Sequence, residues 1–206
     1  MNQKDKENIL QAGKISAQVK NYAKDFIKKG MPLIEVADKI ENKIFELGGK
    51  PGFPVNLDMD EVAAHYTPSH DDTQTAKGLL KVDIGVSVNG WVADSAICID
   101  LENSEENRKL IKATQESIDK IEKLLTSNPP GSITTGQIGA ITQETAESFG
   151  FTPVSNLSGH QIEQYDLHAG INIPNIANNS NSKLSQGYYA IEPFITTGNG
   201  RVKDGA

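Results

Sequence analysis

Asp83, Asp94, His160 and Glu192 are the side chains of this sequence whose types suit metal-assisted hydrolysis. The two aspartates carry the clearest spacing. They lie in one stretch, Leu79 to Ile97, whose two apolar, β-branched runs flank Asn89-Gly90, the strongest short-range signal for a two-residue β-hairpin turn. With that turn Val88 faces Trp91, Ser87 faces Val92, Gly85 faces Asp94 and Asp83 faces Ala96. Side chains alternate faces along a strand, so Val82, Ile84, Val86, Val88, Trp91, Ala93, Ser95 and Ile97 share one side. That side is nearly all apolar and reads as the core face. The other side carries Asp83, Gly85, Ser87, Val92, Asp94 and Ala96, and makes the aspartates diagonal neighbours with Cα atoms roughly 7–8 Å apart. Two carboxylates at that range, flanked by small residues, suit a pair of metal ions about 3.5–4 Å apart. The bland alternative is two solvated acids on an open sheet face, and the hairpin alone does not choose between them.

The other candidates lie further along. His160 follows Leu157-Ser158-Gly159, where the glycine lets the backbone bring an imidazole close to a ligand. His168 comes eight residues later, before Ala169-Gly170. Taken singly, each histidine (His65, His70, His160, His168) reads more often as a satisfied polar or surface residue. Glu192 alternates with Ala190 and Phe194, and a carboxylate among apolar neighbours is unusual unless paired or metal-bound. A half-exposed strand with a solvated Glu192 is the alternative. Two aspartates, a histidine and a glutamate form a hard-oxygen cage with one nitrogen. Such a cage suits Mn, Fe, Co or Zn in a hydrolytic two-metal centre better than a structural zinc.

These residues need a frame to hold them. Ile9, Ala12, Ile15, Val19, Tyr22 and Phe26 recur at helical spacing and predict a helix from about Lys6 to Lys29. Gly30-Met31-Pro32 breaks it, with Pro32 suited to the first turn of a second helix that runs through Leu33, Val36, Ile40, Ile44 and Leu47 to Gly48-Gly49. Phe53 to Leu57 reads as a short extended segment, and the loop after it holds His65 and His70. After Leu101 the order starts again. A helix opens near Asn103 and Glu106, Pro129-Pro130-Gly131 breaks it, and a second helix follows a Thr134/Thr135 cap to Gly150. Pro153-Val154-Ser155-Asn156-Leu157 then echoes Pro54-Val55-Asn56-Leu57, so helix–helix–strand units are repeated over about 5–101 and 103–195. A polar link from Asn172 to Gln186 precedes a strand from Gly187 to Ile195. By the repeat's logic that strand should have a hairpin partner, and the last eleven residues offer none.

Bulk properties narrow the class. At 206 residues the chain can build a sizeable core, and its mixed helical and strand patterns indicate an α/β (α+β) fold. A formal charge of −7 without any Lys/Arg cluster argues against a nucleic-acid partner. Cys98 is the single cysteine, reads as a small buried residue on an apolar strand, and points to a reducing compartment. Met1 to Lys6 leads into no apolar signal core and no run approaches membrane-spanning length, so no membrane partner and a cytoplasmic location are expected.

Six segments together carry a resemblance to a known family. Ala64-His65-Tyr66-Thr67-Pro68, Val82-Asp83-Ile84-Gly85, Ala93-Asp94, Asn156-Leu157-Ser158-Gly159-His160, Leu167-His168-Ala169-Gly170 and Ala190-Ile191-Glu192-Pro193-Phe194 occur in the order found in type 2 methionine aminopeptidases. The archaeal form fits best, because no long charged extension precedes the first helix. The resemblance implies the pita-bread α/β fold with an internal pseudo-twofold, in agreement with the repeat. It further implies two divalent metal ions, with Asp83 chelating one, Asp94 bridging both, and His160 and Glu192 completing the other ion's ligands. Glu192 resembles the residue that also handles the attacking water's proton. His65 and His168 resemble the histidines that line the active site, one near the peptide's amine and one near the scissile carbonyl. Phe53 and Leu167 resemble walls of the methionine pocket, while His70 matches no functional position.

The implied activity is removal of the initiator methionine from N-terminal Met peptides of nascent proteins. The sequence also departs from the family, whose type 2 members continue with a helical insert and a final strand bearing a second bridging glutamate. The chain therefore reads as one catalytic domain, 1–206, incomplete at its C-terminus. Other readings stay open: a non-catalytic peptide- or ribosome-binding module, a fragment or split enzyme needing a second chain for the missing strand, or a proline-specific peptidase on the same fold.

Overall fold

The structure is a computed structural model that describes residues 1–205. It divides into two compact units, one of Met1–Ser104 with Gln164–Leu167, the other of Glu105–Glu163 with the residues from His168 onward.

In the first unit α1 (Gln3–Phe26) and α2 (Leu33–Glu46) follow the predicted periodicity. Asn2 and Asp5 form a capping box that satisfies the first free N–H groups of α1, and Gly30 ends the following turn at φ +86°. Pro32 is the N-cap of α2 instead of lying in its first turn, and it forms an isolated bridge with Thr75. Four strands follow: β1 (Lys50–Pro51), β2 (Asn56–Met59), β3 (Leu79–Val88) and β4 (Trp91–Asp100). β1 and β2 both pair antiparallel with β3, which pairs along its whole length with β4.

The β3–β4 register matches the sequence reading pair for pair, including Asp83↔Ala96 and Gly85↔Asp94. Its cause is the turn, where Asn89 and Gly90 take φ values of +52° and +81°, the left-handed pair that matches strand twist. One face of the hairpin goes inward: Val82, Ile84 and Val86 are fully buried with Ile15, Val19, Ile40, Ile44 and Leu57 of the surrounding elements. Burying each such side chain contributes about 1.5–3 kcal/mol, which fixes which face of the sheet is left for chemistry. Gln164–Leu167 belong to this unit, where the Tyr165 N–H donates to the Gly90 carbonyl at 2.8 Å.

In the second unit α3 (Glu105–Thr126) starts two residues after Asn103, which itself sits at φ +56°. α4 (Thr135–Ser148) starts at the expected Thr134 cap, with Gln137 closing a capping box. Ile121, Ile133, Ile138, Ile173 and Leu184 form the core. Two expectations need correction here. The stretch after Leu157 is a hairpin of β6 (Ser158–Glu163) and β7 (Asp166–Pro174), so β7 takes in the start of what reads as a polar link. The strand expected over Gly187–Ile195 is two pieces, β8 (Tyr189–Ala190) and β9 (Ile195–Thr196). β8 pairs with β6, whereas β9 pairs with β5 (Thr152–Pro153), so the chain changes partner across Ile191–Phe194. Pro193 lies in that gap and has no N–H to continue a ladder. Cys98 is half-buried, because its register partner is Lys81 on the polar face and not a core residue.

Candidate metal centre and substrate-binding residues

Asp83 and Asp94 lie on the sheet face turned away from the core, both half-buried, and are diagonal neighbours across β3 and β4. Between them on that face is Gly85. A Cβ at this position would sit 2.4 Å from Cε1 of Phe53, so the glycine is what lets the Phe53 ring lie against the strand beside both aspartates. The Gly52 N–H donates to the Gly85 carbonyl at 2.8 Å and holds the Phe53 segment in place. Phe53 thus sets an apolar ring against the strand at the position between the two aspartates.

β2 extends this face. Asn56 is in register with Asp83, and Asp58 with Lys81, which is in turn opposite Cys98. Burial pushes the Asp58 carboxyl up from its ordinary value, opposed by a hydrogen bond from the Tyr66 N–H and by the charges of Lys81 and His65. Burial also pulls the Lys81 ammonium down. His65 itself is exposed and takes φ +69°, a left-handed conformation uncommon for a residue with a Cβ. His70 is at the surface with its Nδ1 3.9 Å from Asp71. Leu167 is half-buried within the first unit.

The second unit brings His160, His168 and Glu192 together. His160 is 5% exposed and in register with Ala190. Its Nε2 lies 2.9 Å from Oε1 of Glu192, whose side chain is 29% exposed. The ring of His168, an exposed residue, meets the His160 ring edge-on with centroids 4.4 Å apart. Gly159 makes the approach of the two strands possible, since a Cβ there would fall 2.3 Å from the Ala190 carbonyl oxygen. Asn175, 2% exposed, binds both sides: its Nδ2 donates to the Leu157 carbonyl at 3.0 Å and its Oδ1 accepts from the Phe194 N–H at 3.1 Å. Sequence reading missed Asn175 because it sits in an Asn/Ser-rich tract with no signal to separate it from its neighbours.

The donor set fits a divalent cation. His160 Nδ1 faces the Gln161 carbonyl at 3.3 Å while Nε2 faces a carboxylate. Both partners are acceptors, and a neutral imidazole can donate from only one nitrogen. An imidazolium would donate to both; a ring kept neutral with Nδ1–H on the backbone carbonyl, the usual outer support of a ligating histidine, leaves Nε2 as a ligand atom beside the carboxylate. Each unit therefore offers its own pair of ligand groups: Asp83 and Asp94 diagonal across β3 and β4 in one, and His160 on β6 with Glu192, two residues past β8, in the other.

Comparison with known proteins places this arrangement. The profile of metallopeptidase family M24 matches residues 7–204. The chain is 46% identical over 202 residues to the methionine aminopeptidase of Methanocaldococcus jannaschii, covering 97% of itself and 67% of that protein. It thus spans about two thirds of the length of the curated relatives it matches. The methionine aminopeptidase of Thermotoga maritima superposes with a TM-score of 0.87 at 26% identity, over 98% of this chain and 84% of that one. The prolidase of Pyrococcus horikoshii, 20% identical with a TM-score of 0.76 over 93% of this chain and 55% of its own, shares the fold. The fold is the pita-bread α/β fold of these enzymes, and the chain belongs to metallopeptidase family M24.

Proposed function

We propose that this chain is a methionine aminopeptidase of the archaeal type 2 form, acting in the cytoplasm on N-terminal Met peptides of nascent proteins, with both units serving one catalytic domain. The observation that carries the reading is its 46% identity, over nearly all of its length, to an archaeal methionine aminopeptidase. That Asp83, Asp94, His160 and Glu192 are all present supports descent from an active enzyme and not from a binding module that has lost its metals.

In this reading Asp83, Asp94, His160 and Glu192 would hold two divalent ions (Co, Mn, Fe or Zn). Bound there, the ions supply an acidified water and a Lewis acid for the peptide carbonyl. The protein's own groups do the rest. Glu192 takes the proton released by the attacking water. His168 donates a hydrogen bond to the developing oxyanion, a contribution of a few kcal/mol in a dry site. Phe53 and Leu167 enclose the unbranched thioether, and His65 contacts the peptide beside the scissile bond. The test compares hydrolysis of Met-Ala-Ser with that of X-Pro peptides by the Mn(II)-loaded chain. Release of methionine from Met-Ala-Ser is expected; preferential cleavage of X-Pro would move the chain to the proline-specific branch of its fold.

A further inference from the structure

A buried carboxylate on β2 has no role in the reaction as described so far. Asp58 is 1% exposed, and the hydrogen bond its carboxylate accepts is from the Tyr66 N–H, at 2.8 Å. Burying a carboxylate is costly, and while the charges of Lys81 and His65 offset part of that cost, the Tyr66 N–H is the group it binds directly. The residue before Tyr66 is His65, at φ +69°. Such a conformation persists only where its surroundings over-determine it.

The surroundings are specific. The Tyr66 carbonyl accepts the Leu57 N–H at 2.7 Å, on the edge of β2 turned away from β3. Asn56 Nδ2 donates to Thr67 Oγ1 at 2.8 Å and to the Pro54 carbonyl at 3.0 Å. Three consecutive residues of β2 therefore grip the two residues after His65, and two of the three grips come from side chains. The same strand is in register with β3, Asn56 opposite Asp83 and Asp58 opposite Lys81. β2 thus fixes the position of His65 relative to Asp83. Loss of the Asp58 grip frees the Tyr66 N–H, and the peptide linking it to His65 can rotate to a right-handed conformation that re-aims the imidazole.

We infer that Asp58 is a positioning residue for His65: its carboxylate clasps the Tyr66 N–H and so holds the His65 imidazole in a left-handed backbone setting over the aspartate-bearing sheet face. The inference rests on the reading of His65 as a substrate-contacting residue.

The experiment measures backbone amide exchange at Tyr66 and the His65 ring resonances by NMR, together with Met-Ala-Ser turnover under Mn(II). It uses the full chain as Asp58→Asn, Asp58→Ala, His65→Ala and the Asp58→Ala/His65→Ala pair. Asn keeps an oxygen acceptor, so Asp58→Asn should retain Tyr66 protection and most turnover. Asp58→Ala should exchange about ten- to a hundredfold faster at Tyr66, the factor that corresponds to losing a hydrogen bond to a charged group. Its kcat/KM should fall to that of His65→Ala, and the pair should lose no more than His65→Ala alone. If Asp58→Ala does not fold, Asp58→Leu fills the same space without an acceptor and carries the same expectation. Unchanged Tyr66 exchange and His65 resonances in the acceptor-less variant would overturn the inference, as would losses that add in the pair. Absence of turnover in the unaltered chain would instead count against the methionine-peptide reading, and the NMR comparison would still decide the role of Asp58.

Discussion

Gly159→Ala is the most demanding perturbation the second unit offers. The added Cβ would lie 2.3 Å from the Ala190 carbonyl oxygen and 3.1 Å from the Glu192 nitrogen. Ordinary contact begins near 3.4 Å, and both obstructing atoms are backbone, so no rotamer change relieves the clash. β8 must therefore retreat by roughly 1 Å, as in other overpacked sites. The β6–β8 ladder has only two registered pairs, His160↔Ala190 and Gln161↔Tyr189, and little pairing resists that retreat. Overpacking of this kind costs about 1–3 kcal/mol, equivalent to about 2–12 °C in melting temperature for a chain of this size. The same shift opens the 2.9 Å approach of His160 Nε2 to Glu192. Ligand positions tolerate displacements of only about 0.2 Å, so affinity for a divalent ion should fall about ten- to a hundredfold. Thermal melts and calorimetric titration with Mn(II) read the two effects separately. A Gly159→Ala chain that melts within a degree of the unaltered protein and binds Mn(II) equally well would refute the close-approach argument.

Three further outcomes follow from the same geometry. Gly85→Ala places a Cβ 2.4 Å from the Phe53 ring, a side chain that can swing aside, so KM for Met-Ala-Ser should rise while Mn(II) affinity holds; equal KM would remove Phe53 from the pocket. Gly13→Ala, exposed on α1 with nothing within 4 Å of the new Cβ, should stabilise by about 0.5–1 kcal/mol in urea unfolding, and a loss would contradict the open surface seen there. Asp58 has its carboxyl raised by burial, so its contribution is fully present below the unfolded value, about 3.9, and is lost as pH rises through the folded one. Asp58→Asn should remove that fall from the urea midpoint measured upward from about pH 4, and an unchanged profile would contradict the burial of a charged Asp58.

Much of the first unit is legible in the sequence because its signals are local. Asn89-Gly90 can take two left-handed residues in a row, and that one turn fixes ten register pairs and the shared face of Asp83 and Asp94. The Thr134 cap and the apolar spacing of Ile15, Val19 and Ile40 act within a few residues in the same way. The β6–β7 hairpin is hidden because its turn, Gln164-Tyr165, is no turn dipeptide. Tyr165 sits at φ +61° with its N–H on the Gly90 carbonyl, and Gln164 Nε2 donates to the Asn89 carbonyl, each 75 residues earlier in the chain. The break at Ile191–Phe194 is equally tertiary, since its cause is a change of strand partner from β6 to β5. The ligand-type residues were legible by chemistry and family likeness. Their supports, Asn56, Asp58 and Asn175, were not, because each acts through a loop or strand that only the fold brings near.

Calorimetric titration of the 206-residue chain with Mn(II), alongside His160→Ala, addresses the metal centre most directly. His160 is the buried nitrogen donor whose two ring neighbours are both acceptors, so the cation has most to lose with it. Saturable Mn(II) binding by the unaltered chain that disappears in a folded His160→Ala variant is the expected result. The same stoichiometry and affinity in both chains would mean that the metal ligands lie elsewhere and that the centre is misassigned.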